Sequence, residues 1–162
     1  MARWLFAFAL WSVACAAAAV PLRNQLQGAS PPYLAMHAGD PVHWQRWSRA
    51  VLARARAEHK LIFVTSGYYA CRWCHVMDRE SFRDPAIARV LNRNFIPVAV
   101  DRELLPAVDA RLLAFVQRTR GQGGWPLNVF LTPGGHPLVG TTYLPPGEFL
   151  AFVTKLQRRW SK

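Results

Sequence analysis

Apolar and polar positions follow two alternating periods along this chain. Leu61-Ile62-Phe63-Val64 is an unbroken apolar run rich in branched side chains, and it reads as a buried strand. Ile96 to Val100 reads as a second strand and Leu127 to Leu131 as a third. Pro133-Gly134-Gly135 forms a hairpin turn, with Leu138 to Leu144 as the return strand. Between these runs the apolar residues recur at helical spacing. Val51, Leu52 and Ala55 follow a Ser48 cap, with Arg49, Arg54 and Arg56 mostly outward. Asp84-Pro85 starts another helix, with an N-cap and a proline at its first position, and Ile87, Val90, Leu91 and Phe95 supply the stripe. A third runs from Pro106 to Gly121 on Val108, Leu112 and Phe115 or Val116. The last carries Phe149, Phe152 or Val153, Leu156 and Trp160, with Arg158, Arg159 and Lys162 at its negative end. Trp44 and Trp47 read as packing beneath the first helix.

Two parallel strands joined by a crossover, then an antiparallel hairpin and a closing helix, predict an α/β protein. The expected architecture is a thioredoxin-like fold, a central mixed sheet flanked by helices, over residues 48–162. Residues 20–47 read as an irregular lead-in, broken at Gly28-Ala29-Ser30-Pro31-Pro32. Before it, residues 1–19 hold one charge, Arg3, an apolar stretch and Ala17-Ala18-Ala19, which is the pattern of a signal peptide. Export to the periplasm or the medium is expected. A membrane association follows only if that leader stays uncleaved or Cys15 is lipidated. With 162 residues, 52% of them hydrophobic and 18% charged, the chain is long and apolar enough for one core. Net charge is +11, yet no five-residue window is purely basic and no nucleic-acid motif occurs. The charge reads as solvated helix faces, nucleic acid is not an expected partner, and a monomer is expected.

Chemistry concentrates at Cys71-Arg72-Trp73-Cys74, which follows the first strand through Gly67 and opens a helix. A strand feeding such a pair within a strand–helix alternation is the form of a thiol–disulfide redox site. Unpaired N–H groups and the positive end of the helix dipole favour a thiolate there. Once the leader is gone, Cys71 and Cys74 are the two cysteines left, and their spacing cannot staple distant segments. Cys71 reads as the nucleophile, Cys74 as the resolving thiol, and Arg72 as a positive charge that favours the thiolate. His75 and Asp78 lie four residues beyond Cys71 and Cys74 and are acid/base candidates. Trp73 and Trp125 read equally as an apolar rim for a substrate or as packing. Expected partners are protein thiols or disulfides and a redox partner protein; no cofactor or metal is expected. Three rival readings share the residues. Cys71-x-x-Cys74-His75 also matches c-type haem attachment. It matches a copper or zinc delivery site too, which would need a fourth ligand such as His37, His43, His59 or His136. A binding module with a permanently closed disulfide is the third.

Several stretches carry a resemblance. They include Ser30-Pro31 with Tyr33-Leu34 and His37-Ala38, Pro41-Val42, Trp44 and Trp47, Trp73-Cys74-His75-Val76-Met77, and Glu80-Ser81-Phe82. Val100-Asp101-Arg102-Glu103, the segment GQGGWPLNVFLTP at 121–133, and Gly140 to Pro146 complete the set. Together they resemble the thioredoxin-like domain that opens the YyaL-like, spermatogenesis-associated family of long proteins. The resemblance implies a cis peptide at Trp125-Pro126, with the neighbouring backbone and Pro126 meeting an extended substrate. Thioredoxins carry a buried acid six residues before the first cysteine, where this chain has Thr65. Departures also occur at Arg72 and Arg79, where the family usually has His, and at Leu104, Leu105 and Ala107, where charged residues are usual. Long members continue into a large helical domain, and activity residing there is not carried over.

Overall fold

The computed structural model describes residues 20–162; residues 1–19, where a signal peptide is expected, and Cys15 among them lie outside the described residues. The elements in chain order are α1 (Pro32–Met36), β1 (Gln45–Arg46), α2 (Arg49–Glu58) and β2 (Leu61–Gly67). Next come α3 (Arg72–Met77), which runs into a π-helical turn at Asp78–Phe82, then α4 (Pro85–Asn94) and β3 (Phe95–Asp101). The chain continues through α5 (Pro106–Arg120), β4 (Leu127–Leu131), β5 (Pro137–Thr141) and α6 (Pro146–Trp160). The sheet order is β1-β3-β2-β4-β5. The first three of these are parallel, and β4 and β5 are antiparallel to their neighbours. This is the thioredoxin-like arrangement expected from the pattern.

Every residue of β2, β3 and β4 is buried, because helices cover both faces of the sheet. Successive side chains point to opposite faces. Leu61 and Phe63 of β2 join Phe95, Ala99 and Phe130 in one core with Trp44, Phe82 and Phe149. Ile62 and Val64 join Ile96, Val98, Val100, Leu127 and Val129 in the other, under Val51, Ala55, Leu112 and Val116 of α2 and α5. Phe63 stacks on Phe130 at 4.9 Å between ring centroids. Burying each such side chain contributes roughly 1.5–3 kcal/mol, so these two layers dominate stability. Ser48 and Asp84 cap α2 and α4, accepting from Val51 N and from the N–H groups of Ala86 and Ile87. No described helix is long and apolar enough to cross a membrane.

Three boundaries differ from the sequence reading. The lead-in contains α1 and β1, and β1 pairs with β3 through Gln45↔Val98 and Arg46↔Ala99. Side chains hold the segment in place: the Asn24 amide donates to the carbonyls of His37, Ala38 and Asp40, and Asn92 brackets Pro41 and His43. Phe95 opens β3 and does not continue the α4 stripe, since its backbone is already extended. The return strand ends at Thr141, three residues short of Leu144, where the chain turns towards Pro145 and α6.

Candidate functional site

β2 and α3 place the two cysteines. Cys71 is the N-cap of α3, and its sulfur accepts from the Cys74 N–H at 3.1 Å. The two sulfurs form a disulfide across a Cα–Cα distance of 5.3 Å, and exposure is 4% for Cys71 and 2% for Cys74. An N–H aimed at Cys71 Sγ stabilises negative charge on that sulfur when the bond opens. Arg72 lies on the exposed side of the same turn. Around the pair the chain arranges aromatic side chains. Trp73 is 52% exposed and packs on Tyr143 at 4.8 Å, while the Tyr143 hydroxyl donates to Glu80 at 2.7 Å. Trp125 packs against the core cluster that contains both cysteines. The Trp125–Pro126 peptide is cis, and Pro126 is buried at the head of β4.

Trp125 is held by a polar network that the sequence reading missed. Its indole N–H donates to Asp109 Oδ1 at 2.9 Å, and the Ser66 hydroxyl donates to the same oxygen at 2.7 Å. The Arg102 guanidinium lies 3.9 Å from the Trp125 ring centroid and 5.4 Å from that of Tyr68, with its Nε 3.7 Å from Asp109 Oδ2. Asp109 shares the inward stripe of α5 with Leu112 and Val116. An acid on an apolar stripe was the signal available for it.

The two acid/base candidates have other partners. The His75 ring meets the Tyr69 carbonyl through Nε2 at 2.6 Å and packs edge-on to Tyr69. Asp78 is buried at the start of the π-helical turn, 3.3 Å from His37 Nδ1 and 2.9 Å from an Arg83 nitrogen. His37 Nδ1 also lies 2.8 Å from Asp40 Oδ2, which accepts from the Trp44 indole at 2.8 Å. Burial pushes the Asp78 carboxyl up, but His37 and Arg83 outweigh it and hold Asp78 below the usual carboxylate range. Burial opposes charge on His37 as well, yet the two carboxylates win and raise its pKa. Asp40 is raised by its burial, which His37 only partly offsets. This is a buried charge network tying the lead-in to the segment after α3.

Among the described residues, the one group of side chains within metal-ligand reach of one another is His37, Asp40 and Asp78. Hydrogen-bond contacts and Arg83 already occupy it. Neither cysteine belongs to it, and His43, His59 and His136 are not gathered with them. Thr65, at the position of the thioredoxin acid, is fully buried on β2, and its hydroxyl makes no hydrogen bond.

Known proteins are similar to this chain. Residues 23–162 match the family model Thioredox_DsbH, described as a protein of unknown function, DUF255. Spermatogenesis-associated protein 20 of Mus musculus is 49% identical over 130 residues, covering 80% of this chain. The chain spans 16% of that relative's length. Among solved structures, a DsbH oxidoreductase superposes with a TM-score of 0.54 at 18% identity, over 74% of this chain and 85% of its own. A putative disulphide-isomerase from Bacteroides thetaiotaomicron gives 0.57 at 24%, over 74% and 94%. Both likenesses show the thioredoxin-like fold. With the family model spanning the sheet, the cysteine pair and the Trp125–Pro126 turn, this chain belongs to the Thioredox_DsbH (DUF255) family.

Proposed function

We propose that this chain is an exported thiol–disulfide oxidoreductase acting on protein cysteines. The observation that carries the reading is the Cys71–Cys74 disulfide at the first turn of α3, with the Cys74 N–H directed at Cys71 Sγ. A substrate thiolate attacks Cys71, the S–S bond to Cys74 breaks, and the electron pair stays on Cys74. In the other direction the Cys71 thiolate attacks a substrate disulfide, one substrate sulfur leaves as a thiolate, and Cys74 then displaces the sulfur held on Cys71. Trp73, Tyr143 and Trp125 offer an aromatic rim to a partner chain, and Pro126 with its neighbouring backbone would meet an extended segment. The leader pattern of residues 1–19 supports export, and oxidising compartments are where a disulfide persists. The near-complete burial of both sulfurs favours one second reading, a binding module whose disulfide stays closed.

Trapping separates the two. Cys74→Ser, expressed with its leader and alkylated before non-reducing electrophoresis, should accumulate high-mass adducts that vanish on reduction. Cys71→Ser should give few. Equal adducts from both variants would reject Cys71 as the specific attacker, and none from either would reject the redox reading in favour of the closed module.

A further inference from the structure

Gly67 ends β2 just before the loop that leads to Cys71. A Cβ on Gly67 would stand 2.7 Å from Cys74 Sγ, 2.8 Å from the Tyr33 hydroxyl oxygen and 2.9 Å from a carbon of the Tyr33 ring. The buried sulfur and the tyrosine hydroxyl thus both crowd the same face of residue 67, an approach that any side chain there would block. Tyr33 comes from α1, in the segment whose amino-acid pattern predicts nothing regular, and it is 1% exposed. Its ring packs edge-on against His37 at 5.0 Å between centroids. Thr65 lies beside that hydroxyl, in the place where a thioredoxin has its acid.

We propose that Tyr33 donates a hydrogen bond to Cys74 Sγ when the disulfide opens, and so stabilises the resolving thiolate in place of the absent acid. The inference rests on the redox reading above. As the substrate thiolate forms its bond to Cys71 Sγ, the Cys71–Cys74 bond breaks and Cys74 Sγ keeps the electron pair. Tyr33 retains its proton throughout, so no base, oxidant or further reductant enters the step. Burial pushes the Tyr33 hydroxyl well above its ordinary pKa, with Thr65 opposing only in part, which keeps it a donor and not a phenolate. The charged groups around this space are Asp40 and His37 of the lead-in, Asp78 with Arg83, and Asp101 at the end of β3. The three carboxylates disfavour a thiolate, so a neutral donor at the sulfur has something to offset.

The test titrates Cys74 alone. The full chain carrying Cys15→Ser and Cys71→Ser leaves one thiol, whose ionisation is followed by thiolate ultraviolet absorbance. Adding Tyr33→Phe should raise the Cys74 pKa by about one unit or more, a roughly tenfold loss of thiolate at neutral pH. A structural role for Tyr33 would lower stability without moving this pKa. Replacing Tyr33 by 3-fluorotyrosine keeps the hydroxyl and the packing while strengthening the donor. It should lower the Cys74 pKa, and it serves if Tyr33→Phe does not fold. A Cys74 pKa unmoved by either substitution overturns the proposal. Because the titration needs no substrate, such a result leaves the redox reading standing. A shifted pKa with no trapped adducts would reject the redox reading alone.

Discussion

Asp109→Ala removes the carboxylate on which the Trp125 side of the site depends, and its cost can be worked from the contacts. Asp109 Oδ1 accepts from the Ser66 hydroxyl at 2.7 Å and from the Trp125 indole at 2.9 Å. Hydrogen bonds to a charged acceptor are worth about 1.5–3 kcal/mol each, and the deletion leaves both donors unpaired. The Arg102 contact at 3.7 Å adds less than about 1 kcal/mol, since the guanidinium is partly exposed and screened. The expected loss is about 3–5 kcal/mol, against about 1–2 kcal/mol for Trp125→Phe, which keeps a ring but loses the N–H. Urea unfolding of the oxidised protein, followed by far-ultraviolet circular dichroism, gives both values and that of the double variant. The Asp109–Trp125 coupling should be about 1–2 kcal/mol. A coupling below about 0.5 kcal/mol, or a total loss below about 1 kcal/mol for Asp109→Ala, would refute the view that Asp109 fixes the indole.

Two further outcomes follow from the charge network and the backbone. Asp78 is held below its unfolded pKa of about 3.9, so its contribution is present above that value and disappears as pH falls through the depressed one. His37 is raised, so its part is present below its unfolded pKa of about 6.5 and fades as pH rises through the folded value, while the raised Asp40 opposes both. The stability gap between wild type and Asp78→Asn should therefore be largest between about pH 4 and pH 6.5 and shrink as pH falls below about 3.9; a gap that does not shrink on acidification would contradict the ion pairing. His59 caps α2 with φ of 52°, a left-handed conformation that strains a side chain-bearing residue. His59→Gly should stabilise by about 1 kcal/mol and raise Tm by a few degrees, and an unchanged or lower Tm would count against that strain.

Much of this architecture can be read in the amino-acid pattern because long buried strands and capped helices leave strong local signals. Phe63 and Ile62 alternate between two cores, and Ser48 and Asp84 stand where helices need donors satisfied. β1 leaves no such trace. Two residues show no period, and Gln45 and Arg46 form a strand only because β3 offers an edge. The helical spacing that suggested His75 and Asp78 as acid/base groups places them on α3 and its extension correctly. It cannot show that Asp78 turns to His37 and Arg83, partners 41 and 5 residues away in a chain whose long-range pairing is set by the fold. Tyr33 is hidden for the same reason. An aromatic residue after two prolines looks like a lead-in anchor until β2 and α3 bring Gly67 and Cys74 to its hydroxyl.

The reduction potential of the Cys71–Cys74 pair tests the central claim most directly. Equilibrating the protein with glutathione buffers of graded ratio, then with dithiothreitol buffers, and counting free thiols after alkylation gives the value. A pair that exchanges with protein cysteines should titrate between about −120 and −270 mV, the range of known thiol–disulfide catalysts. A pair that stays oxidised until below about −300 mV would be a closed structural disulfide, and the oxidoreductase assignment would fall with it.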